Sequence, residues 1–379
     1  MRAPHHGQQF RIASAREAAG LPTHDSLRLQ AWPSHWCCPV RRNPHAAAVE
    51  AAVLSWLFDL GCSPAEVARA RKFDAAGYVG LPFPLLSHPQ ALRVGKYLAL
   101  WLLWDDVHLE RPENRWRLTS EHILSNLRPP QMTRFDEGWW QLFQEFAAVR
   151  SPRWLDGLCN TMTAWCAAAM DEALMVRRFR EQGEVPSFDR QLQVRIATIG
   201  MFGTVYLLED GYGYELPVDF HAHPTVQRMT VLANQIVGLG NDLFSCAKDV
   251  ATGQLNLVTT VMQERGLTPA AALETIIQLH DESLQEYDQL AETLGTWSPE
   301  ADPYIARWVQ DVRYASLGFT LWEAQAPRYA AHRLVVDGAV VAPSFLFVPA
   351  LASAAPGPVD ALPHPCPPPP QASRSGASP

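Results

Sequence analysis

From residue 45 to residue 326 the chain repeats one pattern, apolar residues at helical spacing between Pro or Gly breaks, and that pattern admits little besides packed helices. Residues 45–61 form an Ala-rich amphipathic stretch, and further helical stretches run about 137–149, 152–182, 188–210, 223–250, 268–294 and 301–326. Pro89 to Glu110 is a long apolar helix that closes in acid. Ser63-Pro64-Ala65-Glu66 reads as a helix start, with Ser at the N-cap, Pro at the first helical position and Glu at the third. Breaks fall at Leu81-Pro82-Phe83-Pro84 and Gly211-Tyr212-Gly213. No internal repeat and no alternating strand series precedes residue 330. About ten helices with short links predict an all-α fold, a single large bundle.

The ends differ from this body. Residues 1–30 read as a flexible leader and 31–330 as the helical domain. Residues 331–352 read as a short arm, with β-branched runs from Arg333 to Pro349 that suit a small strand-like appendage. Residues 353–379 are a disordered, Pro-rich tail, with Pro367 to Pro370 in a row.

Of 379 residues, 47% are hydrophobic and 18% charged, enough apolar material for a generous core. The net charge is −8, the sequence pI is about 5.9, and no Lys/Arg run occurs. Nucleic-acid binding, which depends on neutralising phosphates, is disfavoured. The seven cysteines, at 37, 38, 62, 159, 166, 246 and 366, are odd in number and match no zinc spacing. They read as reduced thiols of a cytoplasmic protein. Met1 to Ala19 has no apolar core of a signal peptide. The most apolar run, Tyr97 to Trp104, is far too short to cross a bilayer, which takes about 20 residues.

Four elements carry chemistry. The first is Asp105-Asp106-Val107-His108-Leu109-Glu110, adjacent carboxylates at the end of an apolar helix. They are costly there unless paired or metal-bound, and their oxygens suit Mg²⁺. Taken alone, a solvated acidic helix end explains them equally well. The second is Asn241-Asp242-Leu243-Phe244-Ser245-Cys246-Ala247-Lys248-Asp249, where Asn241, Ser245 and Asp249 fall at i, i+4 and i+8 and share a helix face. Alone, this trio is also the polar face of an amphipathic helix. The third is Arg195, whose fork suits a pair of phosphate oxygens, in an otherwise apolar stretch. A buried ion pair or a snorkelling side chain would explain it as well. The fourth is Pro327-Arg328-Tyr329, after Gly318-Phe319-Thr320-Leu321-Trp322, at the end of the last long helix; by itself it is an exposed helix end.

Taken in order, the four resemble bacterial class I terpene synthases. That family carries Asp-Asp followed after three residues by Asp or Glu, and a triad of Asn, Ser/Thr and Asp/Glu at four-residue spacing. Arg195 stands 46 residues before Asn241, and Arg328-Tyr329 begins 87 residues after it. The family places its diphosphate-sensing Arg and its terminal Arg-Tyr at these intervals. The resemblance covers roughly residues 31–330 and includes Arg42-Asn43-Pro44-His45. Two departures stand out: Asp249 closes the triad where Glu is commoner, and Ile199 stands where Gly is frequent, with Gly200 next. The effector position therefore lies within Thr198–Gly200.

The resemblance implies a magnesium-dependent terpene cyclase that ionises an isoprenoid diphosphate and cyclises the carbocation. Three Mg²⁺ ions are expected, with Mn²⁺ able to substitute. Asp105, Asn241, Ser245 and Asp249 would ligate metal, with Asp106 and Glu110 supporting from behind. Arg195, Lys248, Arg328 and Tyr329 would bind diphosphate. The carbocation needs a dry cavity with aromatic faces, and among the thirteen Trp and other rings the candidates are Trp322, Trp104 and Phe83, then Trp101, Phe319 and Phe202. Most aromatics remain core filler. Farnesyl diphosphate, giving a sesquiterpene hydrocarbon or alcohol, is the expected substrate; geranyl, 2-methylgeranyl and geranylgeranyl diphosphate stay open, as does a homodimer. A chain-elongating prenyltransferase would need a second Asp-rich motif and a class II cyclase an Asp-x-Asp-Asp motif; neither is present. A non-catalytic helical interaction protein would leave the order of the four elements unexplained.

Overall fold

A computed structural model describes residues 10–23, 30–108, 116–341 and 345–347. Glu110, the side chain of Asp106 and the Pro-rich tail from 353 onward lie outside the described residues. The order is β1 (Phe10–Ser14), α1 (Ala15–Ala18), β2 (Gln30–Trp32), α2 (Ala46–Asp59), α3 (Pro64–Lys72), α4 (Ala75–Gly80), α5 (His88–His108), α6 (Ser120–Leu124), α7 (Arg134–Ala147), α8 (Pro152–Gln182), α9 (Phe188–Thr198), α10 (Met201–Tyr212), α11 (Pro224–Ala251), α12 (Leu257–Arg265), α13 (Pro269–Thr293), α14 (Asp302–Gln325), β3 (His332–Val336), β4 (Ala339–Val341) and β5 (Phe345–Phe347). The fold is all-α with a small β appendage.

Local chemistry sets the helix ends. At α3 the Ser63 hydroxyl accepts from the Glu66 N–H at 3.3 Å, and the Glu66 carboxylate accepts from the Ser63 N–H at 2.8 Å, the reciprocal cap the sequence predicts. At Ser151-Pro152 and Thr268-Pro269, which start α8 and α13, the hydroxyl accepts from the Trp154 and Ala271 N–H without a return bond. Glycines with positive φ close α8, α10 and α12.

Helix α11 is the axis of the bundle and packs against α9, α10, α12, α13 and α14. Every residue from Leu232 to Leu243 is buried, as for a helix enclosed on all sides. Helix α5 packs on α2, α4, α7 and α10. Close approach is needed where α14 passes the Leu81-Pro82 turn: a Cβ on Gly318 would stand 2.4 Å from the Pro82 Cα.

The structure departs from the sequence reading in three places. The stretch expected as one helix over 188–210 is two, α9 and α10, because Gly200 adopts φ +98°. That conformation is open to Gly and strained for other residues. Phe10–Ser14, placed in the flexible leader, is a strand. It pairs antiparallel with β3, Phe10 opposite Val336 and Ser14 opposite His332, and β3 pairs with β4. The β3–β4 turn is Asp337-Gly338, both with positive φ, a two-residue hairpin signal. A second, parallel pair joins β2 to β5. Third, α14 stops at Gln325, and Pro327–Tyr329 form a separate 3₁₀ turn. Strand β3 rests on α11, with Leu334, Val336 and Val341 in one apolar cluster with Leu239 and Leu243.

Candidate active site

A cavity of about 300 Å³ opens at the end of the bundle where α5, α8, α9, α11 and α14 converge. Asp105, Arg195, Asn241, Lys248, Asp249, Trp322, Arg328 and Tyr329 all line it. Residues up to 224 positions apart in sequence, Asp105 and Tyr329, are thus brought to one wall. Ser245 is buried and touches the cavity only through Asp249, to which its hydroxyl donates at 2.5 Å.

Three expected wall residues, Trp104, Phe83 and Phe202, are elsewhere. Trp104 is buried between Trp116 and Trp165, with centroids 6.1 and 5.6 Å away. On α5, Trp101 and Asp105 are one helical turn apart and share the cavity face, whereas Trp104 is turned about 100° from Asp105. Phe83 is fully buried and meets Phe319 edge-on at 6.0 Å; it supports the wall from behind. Trp101, Phe319 and Trp322 do line the cavity, with Tyr78 set edge-on to both Phe319 and Trp322. Phe202 lines a neighbouring cavity instead. Most of the Trp residues are core, as in the run Trp165, Trp104, Trp116 and Trp139.

The polar wall is one connected network. Arg195 Nε lies 2.7 Å from Asp242 Oδ1 as an ion pair that lacks hydrogen-bond alignment. Its Nη2 donates to the Asn241 amide oxygen, and Nη1 lies 3.9 Å from Glu172. The Asn241 amide nitrogen donates to Glu323 Oε1 and to the Tyr329 hydroxyl, both at 2.9 Å. Asp249 is held by Ser245, by Lys248 at 2.8 Å and by the Asn256 amide at 2.9 Å. Asn256 also donates to the Asp242 carbonyl and caps α12 through the Val258 N–H. Lys248 and Arg328 each stand over the Tyr329 ring, at 5.8 and 5.4 Å.

Among the described lining residues five are acidic (Asp105, Glu172, Asp242, Asp249 and Glu323) and three basic (Arg195, Lys248 and Arg328). Burial dominates the ionisation of three of these acids. Burial pushes Asp242 up to about 6 against the pull of Arg195, and pushes Glu323 up to about 8. Glu172 is raised by burial too. Burial pulls Arg195 down, but the facing Asp242 and Glu172 outweigh it and the net shift is upward. Carboxyls rise in this way when they are taken out of water and the nearby cations do not fully offset that loss.

Divalent cations fit this deficit. The donors are carboxylate, amide and hydroxyl oxygens, the ligands of hard ions. Among the described residues no three His, Cys, Asp or Glu side chains cluster closely enough to hold a metal unaided. A sparse set of this kind suits Mg²⁺, which retains water and takes phosphate oxygens as further ligands.

Residues 96–286 match the family described as terpene synthase family 2, C-terminal metal binding. The chain belongs to this terpene synthase family. The match covers half the chain, and the family's metal-binding domain means that this enzyme, a terpene synthase, uses divalent metal and an isoprenoid diphosphate substrate. Sesquiterpene synthase 1 of Postia placenta is 26% identical over 311 residues, covering 78% of this chain and 88% of that protein. Alpha-muurolene synthase of Coprinopsis cinerea is 24% identical over 309 residues, covering 78% and 72%. In fold, the chain matches α-eudesmol synthase with a TM-score of 0.65, 19% identity and 76% and 97% coverage. It matches linalool/nerolidol synthase of Streptomyces clavuligerus, in complex with 2-fluorogeranyl diphosphate, with a TM-score of 0.63, 18% identity and 76% and 96% coverage. Among the described residues no helix is long and apolar enough to cross a membrane, and the six described cysteines are free thiols.

The residues of the network that sequence reasoning gave no role are Glu172, Asp242, Asn256 and Glu323; Asp242 stood inside the Asn241–Asp249 motif. Asn256 had a signal, an Asn just before the apolar Leu257-Val258 start of α12. Glu323 had a weaker one, an acid beside Trp322 on an apolar helix. Glu172 had none.

Proposed function

We propose that this terpene synthase is a cyclase that ionises farnesyl diphosphate with three Mg²⁺ ions and cyclises the cation to a sesquiterpene. The acid surplus of the cavity carries this reading, because an anionic diphosphate enters such a wall only with cations. Relatives named sesquiterpene synthases support the fifteen-carbon substrate.

Asp105 on α5 and Asn241 and Asp249 on α11 share the cavity, and with Ser245 behind Asp249 they would hold the metal, for which Mn²⁺ could substitute. Bound there, the ions supply Lewis-acid stabilisation of the departing diphosphate. Asp106 and Glu110 orient ligands from behind. Arg195, Lys248, Arg328 and Tyr329 donate hydrogen bonds to the diphosphate oxygens. Arg195 presently holds the Asn241 oxygen and Asp242. A turn of Arg195 toward diphosphate would free that oxygen as a metal ligand, which would link substrate arrival to metal binding. The α9–α10 break at Ile199–Gly200, beside Trp101, lies where such a turn would move the cavity wall. Trp101, Phe319 and Trp322 keep the hydrocarbon end dry and offer π-faces to the cation.

The test is incubation with geranyl, 2-methylgeranyl, farnesyl and geranylgeranyl diphosphate plus Mg²⁺, with products analysed by gas chromatography–mass spectrometry. Cyclic fifteen-carbon products from farnesyl diphosphate support the reading. Products from only a shorter or longer substrate overturn the chain length, and no terpene from any substrate overturns the cyclase.

A further inference from the structure

The Glu323 side chain is 3% exposed, and its Oε2 has no hydrogen-bond partner. A carboxyl placed so is costly to the fold, which directs attention to what its other oxygen does. Oε1 accepts from the Asn241 amide nitrogen at 2.9 Å. We propose that Glu323 is a positioning residue that fixes the sense of the Asn241 amide, so that its oxygen faces the metal-binding side of the cavity. The inference rests on the metal role proposed for Asn241.

An amide has two ends of similar shape and opposite hydrogen-bonding character. Three groups contact this one. The Tyr329 hydroxyl can donate or accept, so it suits either end. Arg195 only donates and so selects the oxygen, but it occupies the oxygen that an ion would need. Once Arg195 turns away, nothing on that side opposes a flip. Glu323 holds the nitrogen from the α14 side and leaves the oxygen open. It therefore sets the amide without competing with the metal. Partners behind a ligand typically change metal affinity about 10- to 100-fold when lost.

The experiment is isothermal titration calorimetry of the full-length protein with inorganic diphosphate at fixed Mg²⁺, alongside near-ultraviolet circular dichroism. In Glu323→Leu the acceptor is gone, and affinity should fall at least about 10-fold with the dichroism retained. Glu323→Gln can turn its carbonyl oxygen to Asn241 and should stay within about threefold of wild type. A Leu variant that binds as wild type overturns the proposal. So does a Gln variant as weak as the Leu variant, which would assign the effect to charge. Should Glu323→Leu not fold, the cycle with Asn241→Asp decides. Asn241→Asp places a carboxylate against Glu323 and should weaken binding, and adding Glu323→Gln, whose amide can donate to Asp, should recover part of it. Additive losses would overturn the proposal. Wild-type protein that binds no Mg²⁺–diphosphate would instead fail the functional reading itself.

Discussion

Asn256→Ala is the substitution whose cost can be followed group by group. Asn256 is fully buried in the turn after α11. Its side-chain oxygen accepts from the Val258 N–H at 3.0 Å, and loss of such a cap costs about 1 kcal/mol. Its amide nitrogen donates at 2.9 Å to both the Asp242 carbonyl and the Asp249 carboxylate. Stranding these acceptors adds about 2 kcal/mol, since bonds to charged groups are worth roughly 1.5–3 kcal/mol. The unfolding free energy should therefore drop by about 3 kcal/mol, read from guanidinium denaturation by far-ultraviolet circular dichroism. Asp249 also loses one of the three groups that hold it, so the affinity for Mg²⁺ with inorganic diphosphate should fall about 10-fold. Asn256→Ser separates the two effects. Serine keeps a capping oxygen but is too short for Asp249, so it should recover about 1 kcal/mol of stability and none of the affinity. If Asn256→Ala keeps both wild-type stability and wild-type affinity, the reasoning is refuted.

Further outcomes follow from the same geometry. Gly200→Ala places a Cβ at φ +98° and 2.9 Å from the Trp101 ring; it should cost about 1–3 kcal/mol in stability and change the product ratio measured by gas chromatography. Trp322→Leu, on the cavity wall, should redistribute products, whereas Trp104→Phe, behind it, should lower stability by about 1–3 kcal/mol with the product ratio unchanged. Burial pushes the Asp311 carboxyl up to about 7 from 3.8, with Arg307 pulling the other way. A raised carboxyl favours the fold below about pH 4 and loses that contribution as pH rises toward 7. Wild-type stability measured against Asp311→Asn should therefore decline across that window; a flat difference would refute the assignment.

The helices and their caps were legible because they are local. Ser63 to Glu66 specifies its own cap, and the spacing of Asn241, Ser245 and Asp249 fixes a shared face before any tertiary contact forms. Gly200 was seen but not its effect, since a glycine in a helical pattern is read as a break only when its φ is known. The β appendage failed differently. Phe10–Ser14 lacks the strand context that only β3, some 320 residues later, provides. The Asp337-Gly338 turn was there to be read. In the cavity, Trp101 and Trp104 were both candidates for nearness to Asp105. On a helix one residue is a turn of about 100°, so Trp101 lines the wall and Trp104 does not. Phe83, chosen without such a marker, packs behind Phe319. Glu323 and Asn256 matter through partners on other helices, which no local pattern records.

The most direct measurement is release of inorganic diphosphate from farnesyl diphosphate by chelator-treated enzyme as Mg²⁺ is added back, for wild type, Asp105→Ala and Asn241→Ala. The account predicts no release without metal, recovery with Mg²⁺ in wild type, and no recovery in either variant despite an unchanged helical dichroism signal. Release by wild type without divalent metal, or full recovery in either variant, would contradict it.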